Sequence, residues 1–206
     1  METIDLCRHC AHDLPWNLCA CPRCGIPLPL PAPACGPCLR RSPPQTETRA
    51  VFVYAPPLDR LLPRLKFHDD LAAGRLLAWL MARALADAPR PEAVIALPLH
   101  RSRLRRRGYD QALELARPLA RSLGLPLCEG ALVRVRATLP QSQLDANARR
   151  RNLKGAFQVR CGAPLPAHVA LVDDVMTTGA SLHAATETLL RAGVSRVDAW
   201  VCARVA

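Results

Sequence analysis

Apolar and polar positions follow two different patterns along the chain. Over the first 44 residues nine prolines break any period, and the run CPRCGIPLPLPAPACGPC shows neither strand alternation nor helical spacing. From residue 50 the pattern becomes regular. Residues 50–55 read as a strand, 58–67 and 71–88 as helices, 93–97 as a buried strand, and 109–123 as a helix kinked at Pro118. Residues 131–135 form a weaker strand, and 136–155 are polar, Arg-rich and aperiodic, the pattern of a long mobile loop kept for function. The clearest unit comes last: a strand over 168–172, a polar turn, a helix over 181–192 closed by Gly193, and a strand over 196–203. Strands alternating with helices predict an α/β fold with a doubly wound, mostly parallel sheet. The boundary falls near residue 45, giving a small module over 1–44 and an α/β domain over 45–206.

Length and composition agree with that division. The 206 residues are 50% apolar with a mean hydropathy of +0.04, enough to bury a core and unlike a fibrous or low-complexity chain. No charge-free stretch of about 18 apolar residues occurs, and METIDLCRHC lacks the basic-then-apolar pattern of a signal peptide, so the expectation is a cytoplasmic chain without membrane insertion. Charge is concentrated: the net +11 comes almost wholly from residues 100–160, where 14 basic and 4 acidic side chains give +10. A basic window of that kind points to phosphates or nucleic acid.

Cysteine is concentrated as well, with seven of the ten in the first 38 residues. A short proline-rich module cannot build its own core, and paired CxxC in a cytosolic chain reads as metal binding before disulfide. Cys21, Cys24, Cys35 and Cys38 form two knuckles ten residues apart, suited to a tetrahedral structural Zn2+ in a small ribbon. Cys7 and Cys10 either add a second site with Cys19, His9 or His12 or are a remnant. Cys128, Cys161 and Cys202 read as free buried thiols.

The strongest chemical signal is the run Val169, Ala170, Leu171, Val172, Asp173, Asp174. Four apolar residues deliver two adjacent carboxylates to the carboxyl end of a buried strand, where open α/β sheets hold their ligands. Val175 and Met176 lead into Thr177, Thr178, Gly179, Ala180 and Ser181, a small, hydroxyl-rich turn running into a helix N-terminus. Its backbone N–H groups can surround one phosphate. Either half alone would read as a strand end or a helix cap; together they make a sugar-phosphate site. A second segment, from Pro98 to Ala112, follows a strand and carries five arginines on a loop at the same sheet edge, where guanidinium groups can hold a diphosphate. A third, from Gln141 to Phe157, carries Arg149, Arg150 and Arg151 and can fold over an anion or lie along a single strand.

LVDDVMTTGASL closely resembles the 5-phosphoribosyl-1-diphosphate (PRPP) motif of type I phosphoribosyltransferases. The resemblance implies that Asp173 and Asp174, the catalytic pair, contact the ribose hydroxyls while the Thr177 to Ser181 turn holds the 5′-phosphate. The basic segments themselves are read as placing Arg103, Arg106 and Arg107 on PRPP, and Arg105, Arg149, Arg150 and Arg151 on nucleic acid. With the cysteine module in front, Lys66-Phe67, the RGYDQA run ending at Ala112 and the Gln141 to Phe157 segment, the whole chain resembles the ComF family of competence-associated proteins. Two departures stand out. Asp110 replaces the family's Asn, adding a negative charge that would weaken anion binding or recruit a metal ion, and Ala148 stands where Glu is frequent.

That resemblance implies a phosphoribosyltransferase-like, PRPP-binding protein with Mg2+ accompanying PRPP, acting in DNA uptake and natural transformation through single-stranded DNA, with a DNA-uptake helicase or another competence protein as partner. Aromatic residues are 4% of the chain, so strand binding would be backbone-led and salt-dependent. Two alternatives stand beside it. One is an active transferase, in which magnesium and the Arg101 to Arg107 segment neutralise a leaving diphosphate while the two acids steady a ribose becoming an oxocarbenium ion. The other is a zinc-ribbon adaptor with a silent ligand site.

Overall fold

The computed structural model describes residues 6–67, 70–137, 153, 155–163 and 165–206. Its centre is a four-stranded sheet of β1 (Glu47–Val53), β2 (Ala93–Ala96), β5 (His168–Met176) and β6 (Arg196–Arg204), in the order β1-β6-β5-β2 with every pairing parallel. The two central strands are buried along most of their length, with apolar runs at Val169–Val172 and Ala199–Ala203, as strands covered on both faces require. Beyond β2, Val94 N–H donates to Pro126 O (2.8 Å) and Cys128 N–H to Val94 O (2.9 Å), so a short extended segment closes that edge.

Helices α3 (Leu58–Phe67), α4 (Leu71–Ala84) and α6 (Gln111–Leu123) cover one face, where Leu62, Leu77, Met81, Leu115 and Leu119 pack on Val94, Val172 and Trp200. Helix α7 (Ala180–Arg191) covers the other face with an antiparallel hairpin of β3 (Leu132–Arg134) and β4 (Phe157–Val159); there Leu182, Leu189, Leu132 and Phe157 pack on Ile95, Leu171 and Val201. The layers are those of the doubly wound α/β fold read from the sequence. Among the described residues no helix is long and apolar enough to cross a membrane.

Three local differences from the sequence reading matter for the site. Strand β5 does not stop at Val172 but pairs with β6 as far as Met176↔Arg204, so the two acids sit within the strand. The arginine run is not a loop but helix α5 (Arg101–Arg107): His100 Nδ1 accepts from Ser102 N–H (3.2 Å) at its start, and Gly108 at φ 85° ends it. Helix α6 starts at Gln111, capped by Asp110. Of the 136–155 loop, residues 138–152 and 154 lie outside the described residues.

The cysteine-rich module holds two short helices, α1 (Arg8–His12) and α2 (Gly36–Arg40), and is stitched to β1. Asn17 N–H donates to Val51 O (2.9 Å) and Val53 N–H to Pro15 O (2.8 Å), adding a short antiparallel edge, while the Trp16 ring lies 4.6 Å from that of Phe52. Further along, Thr48 N–H donates to Pro22 O (2.8 Å), and the carbonyl of Arg23 accepts from Thr48 Oγ1 (2.8 Å) and Gln45 Nε2 (3.2 Å). Thr48 is 2% exposed and Gln45 fully buried, so these bonds are made out of water. Thr48→Val keeps the shape and removes the hydroxyl; chemical denaturation should record a loss of about 1–2 kcal/mol.

Candidate functional site

Because successive side chains of a strand point to opposite faces, Asp173 and Asp174 straddle the end of the sheet. Asp174, 3% exposed, lies on the α3 side, where Lys66 Nζ reaches its Oδ2 at 3.1 Å. Asp173 opens toward the hairpin side, and its Oδ1 accepts from Asp174 N–H (2.9 Å). Burial, and after it the Asp174 charge, push the Asp173 carboxyl well above the usual carboxylate range, against the opposing pull of Lys66. Asp110 is committed elsewhere: its Oδ2 accepts from Leu99 N–H (2.8 Å) and its Oδ1 from Ala112 N–H (3.1 Å) and Leu113 N–H (3.4 Å). It caps α6 and pins the segment leading into α5, so the substitution for Asn serves local structure. Burial raises its carboxyl too, against those three amides.

Facing the acids is a cavity of about 760 Å³ lined by Lys66, Arg103, Arg106, Arg107, Gln111, Arg134, Asp173, Asp174 and Ser181 among others. The helix explains which arginines reach it. Arg103, Arg106 and Arg107 are spaced i, i+3 and i+4, one face of α5, whereas Arg105 falls on the exposed outer side. Arg107 donates from Nη1 to Gln111 Oε1. Arg134, from β3, is buried with its guanidinium 5.4 Å from the Phe157 ring centre; burial and the nearby Arg103 charge push it down to about 10, with Asp173 pulling the other way. Lys66, Gln111 and Arg134 have no assigned role in the sequence reading. Lys66 enters there only as part of a family pair, and a buried arginine inside a three-residue strand is the signal available for Arg134.

The turn after β5 borders this cavity. Met176 is 2% exposed, and Gly179, at φ 75°, is the N-cap of α7. That φ favours glycine, and a Cβ on Gly179 would in addition press on Met176 Cε and lie 2.8 Å from His183 Nε2, which would have to shift. Ala180 N–H lies 3.4 Å from Thr178 Oγ1 at the start of α7, and the positive end of the helix dipole there favours an anion. The structure thus brings Asp173, Asp174, Val175, Ser181, Arg103, Arg106 and Arg107 to one cavity, with Thr177 to Ala180 as the turn beside it; Arg149, Arg150 and Arg151 lie outside the described residues. A larger cavity, about 990 Å³, opens between the cysteine module and α4, but its acid, Glu47, is already paired to Arg49 at 2.8 Å.

In the module, the sulfurs of Cys21, Cys24, Cys35 and Cys38 all lie within 4.8 Å of one another, close to the roughly 3.8 Å edge of a tetrahedron with 2.3 Å zinc–sulfur bonds. Burial raises the Cys21 thiol, but the amides of Cys35, Arg23 and Cys24 outweigh it and bring the group down to about 7; Cys35 N–H lies 3.2 Å from its sulfur. Four thiols so gathered fit a structural zinc ion. Cys7 caps α1 and Cys10 lies within it, both exposed and outside that cluster. Of the three cysteines read as buried, Cys202 is, Cys128 is half-buried and Cys161 is exposed.

The raised Asp173 carboxyl carries a pH prediction. An acid that holds its proton more tightly folded than unfolded costs stability as pH climbs above about 4 toward the folded value. Asp173→Asn removes that cost, so differential scanning fluorimetry of ligand-free protein should find the variant a few degrees more stable at pH 7.5, the gap closing toward pH 4.

No family model matches the chain. The DNA utilization protein YhgH of Salmonella typhi is 38% identical over 208 residues, 97% of this chain and 90% of that protein. Competence protein F of Haemophilus influenzae is 37% identical over 207 residues, with the same shares of each. Competence protein ComFC of Streptococcus pneumoniae matches at 25% over 156 residues, 76% of this chain and 67% of that one. Among solved structures, TT1426 of Thermus thermophilus overlaps 65% of this chain and 81% of its own at 20% identity, with a TM-score of 0.38. With identity of this level running through almost its entire length, the chain belongs to the ComF family, that of competence protein F and DNA utilization protein YhgH.

Proposed function

We propose that the chain binds PRPP in the cavity between α5 and the end of β5 and serves DNA uptake through handling of single-stranded DNA. The observation that carries the ligand reading is the charge layout: two acids toward the carboxyl end of a central strand, facing Arg103, Arg106 and Arg107 across one cavity. A pentose with phosphate at one end and diphosphate at the other matches that layout. Asp173 and Asp174 accept from ribose hydroxyls, the amides from Thr177 to Ser181 take the 5′-phosphate, and the guanidinium groups of α5 take the diphosphate bidentately. Arg134 and Lys66 add positive charge behind the two acids, so an anionic ligand is not repelled by them. Magnesium, where present, would neutralise diphosphate oxygens and polarise the bond to the anomeric carbon. Family membership supports the DNA role, since relatives are named for competence and DNA utilization. The basic window around residues 100–160 and the outward-facing Arg105 supply the strand-directed charge.

The test is calorimetric titration of PRPP with magnesium into zinc-loaded protein, beside an Asp173→Asn/Asp174→Asn double variant. Saturable binding by the wild type, weakened at least about a hundredfold in the variant, is the expected result. Single Arg103→Gln and Arg106→Gln changes should each weaken binding about tenfold. Absence of wild-type binding overturns the ligand reading. Diphosphate release that depends on an added nucleophilic acceptor, which takes the anomeric carbon as the diphosphate leaves, would identify an active transferase rather than a binding protein.

A further inference from the structure

Arg204 is 8% exposed, and among the described residues its guanidinium makes no ion pair. It is held by carbonyl oxygens from three places. Nε donates to Cys24 O at 3.0 Å, and Nη1 donates to Met176 O at 3.2 Å and to Val205 O. Cys24 is a member of the four-thiol cluster, and Met176 ends β5 immediately before the turn at Thr177. One buried cation therefore bridges a cysteine knuckle to the end of β5, where the Thr177 turn begins.

The bridge continues mechanically on both sides. Met176 O also accepts from Val205 N–H (3.0 Å), and Met176 Cε packs so closely on Gly179 that a single added carbon would overlap it. Met176 is joined directly to Thr177, so the position of its backbone carbonyl sets where the turn begins. At the other end, the Cys24 carbonyl is fixed by the conformation of the Cys21 to Gly25 knuckle, where Gly25 N–H donates to Cys21 O (2.8 Å) and Cys21 N–H to Ile26 O (2.8 Å). A buried charge without a counter-ion depends on each of its carbonyl partners, so losing one forces the guanidinium to move.

We infer that Arg204 is a positioning residue that couples metal loading of the cysteine cluster to phosphate affinity at the Thr177 to Gly179 turn, an inference that rests on the PRPP reading above. A metal ion that fixes the knuckle presents the Cys24 carbonyl to Arg204. Arg204 then holds Met176, and the turn keeps its amides convergent. Linkage makes the effect reciprocal: a ligand that fixes the turn also tightens the cluster's hold on its metal by the same factor.

The experiment uses the full-length, zinc-loaded protein and measures zinc partition at equilibrium against a chromogenic chelator, with and without saturating PRPP and magnesium. The Asp173→Asn/Asp174→Asn variant controls for zinc taken by PRPP itself. The expected result is zinc affinity raised on the order of tenfold by PRPP in the wild type, and PRPP affinity lowered by a matching factor when zinc is removed. In Arg204→Lys, which keeps the charge but not the planar fork, both effects should vanish while the folded variant still takes up zinc. If that variant does not fold, Arg204→Gln, which retains an amide donor, takes its place. A purely structural Arg204 would lower thermal stability and leave the zinc–PRPP linkage intact, overturning the inference. PRPP binding with unchanged wild-type zinc affinity also overturns it and leaves the ligand reading standing. No PRPP binding by zinc-loaded wild type overturns both.

Discussion

Two carboxylates on consecutive residues of a central strand impose a demand for positive charge from both sides of the sheet. Asp174 looks toward the helical layer and meets Lys66 from α3; Asp173 looks toward the hairpin layer, where Arg134 is set by β3. Lys66 pairs directly with Asp174 and acts on Asp173 only at longer range, because the two side chains leave the strand on opposite faces. The rest of the site follows from this arrangement. Helix α5 stands over the strand tip with three of its guanidinium groups turned inward, and Asp110 ties the start of α6 to the approach to α5. The result is a cavity whose floor is acidic and whose walls are basic, suited to a ligand that is hydroxylated in the middle and phosphorylated at its ends.

The order of elements was legible in the sequence because each strand and helix carries its own period. The β5 run and the turn after it were legible for the same reason, since everything needed lies within 13 consecutive residues, 169 to 181. The two cysteine knuckles could be read from spacing alone. What escaped was whatever depends on rotation or on distant chain. The arginine run looked like a loop because five cations in seven residues give no apolar period, yet His100 and Gly108 bound a short helix, and its phase separates Arg105 from Arg103, Arg106 and Arg107. Lys66 and Arg134 join the site from elements that contribute nothing else recognisable to it. The contact between Arg204 and Cys24 spans 180 positions and has no local signature at all.

The edge pairing of the cysteine module gives it a further consequence. Strand β1 is the outermost strand of the parallel sheet, and Pro15 to Asn17 and Pro22 occupy hydrogen-bonding groups along its free side. Without that cover β1 would present a row of unpaired amides and carbonyls with Phe52 uncovered beside them, a ready template for another chain. The segment that gathers the thiols thus also keeps the sheet from growing sideways, and a shortened chain beginning at β1 would tend to self-associate, strand against strand.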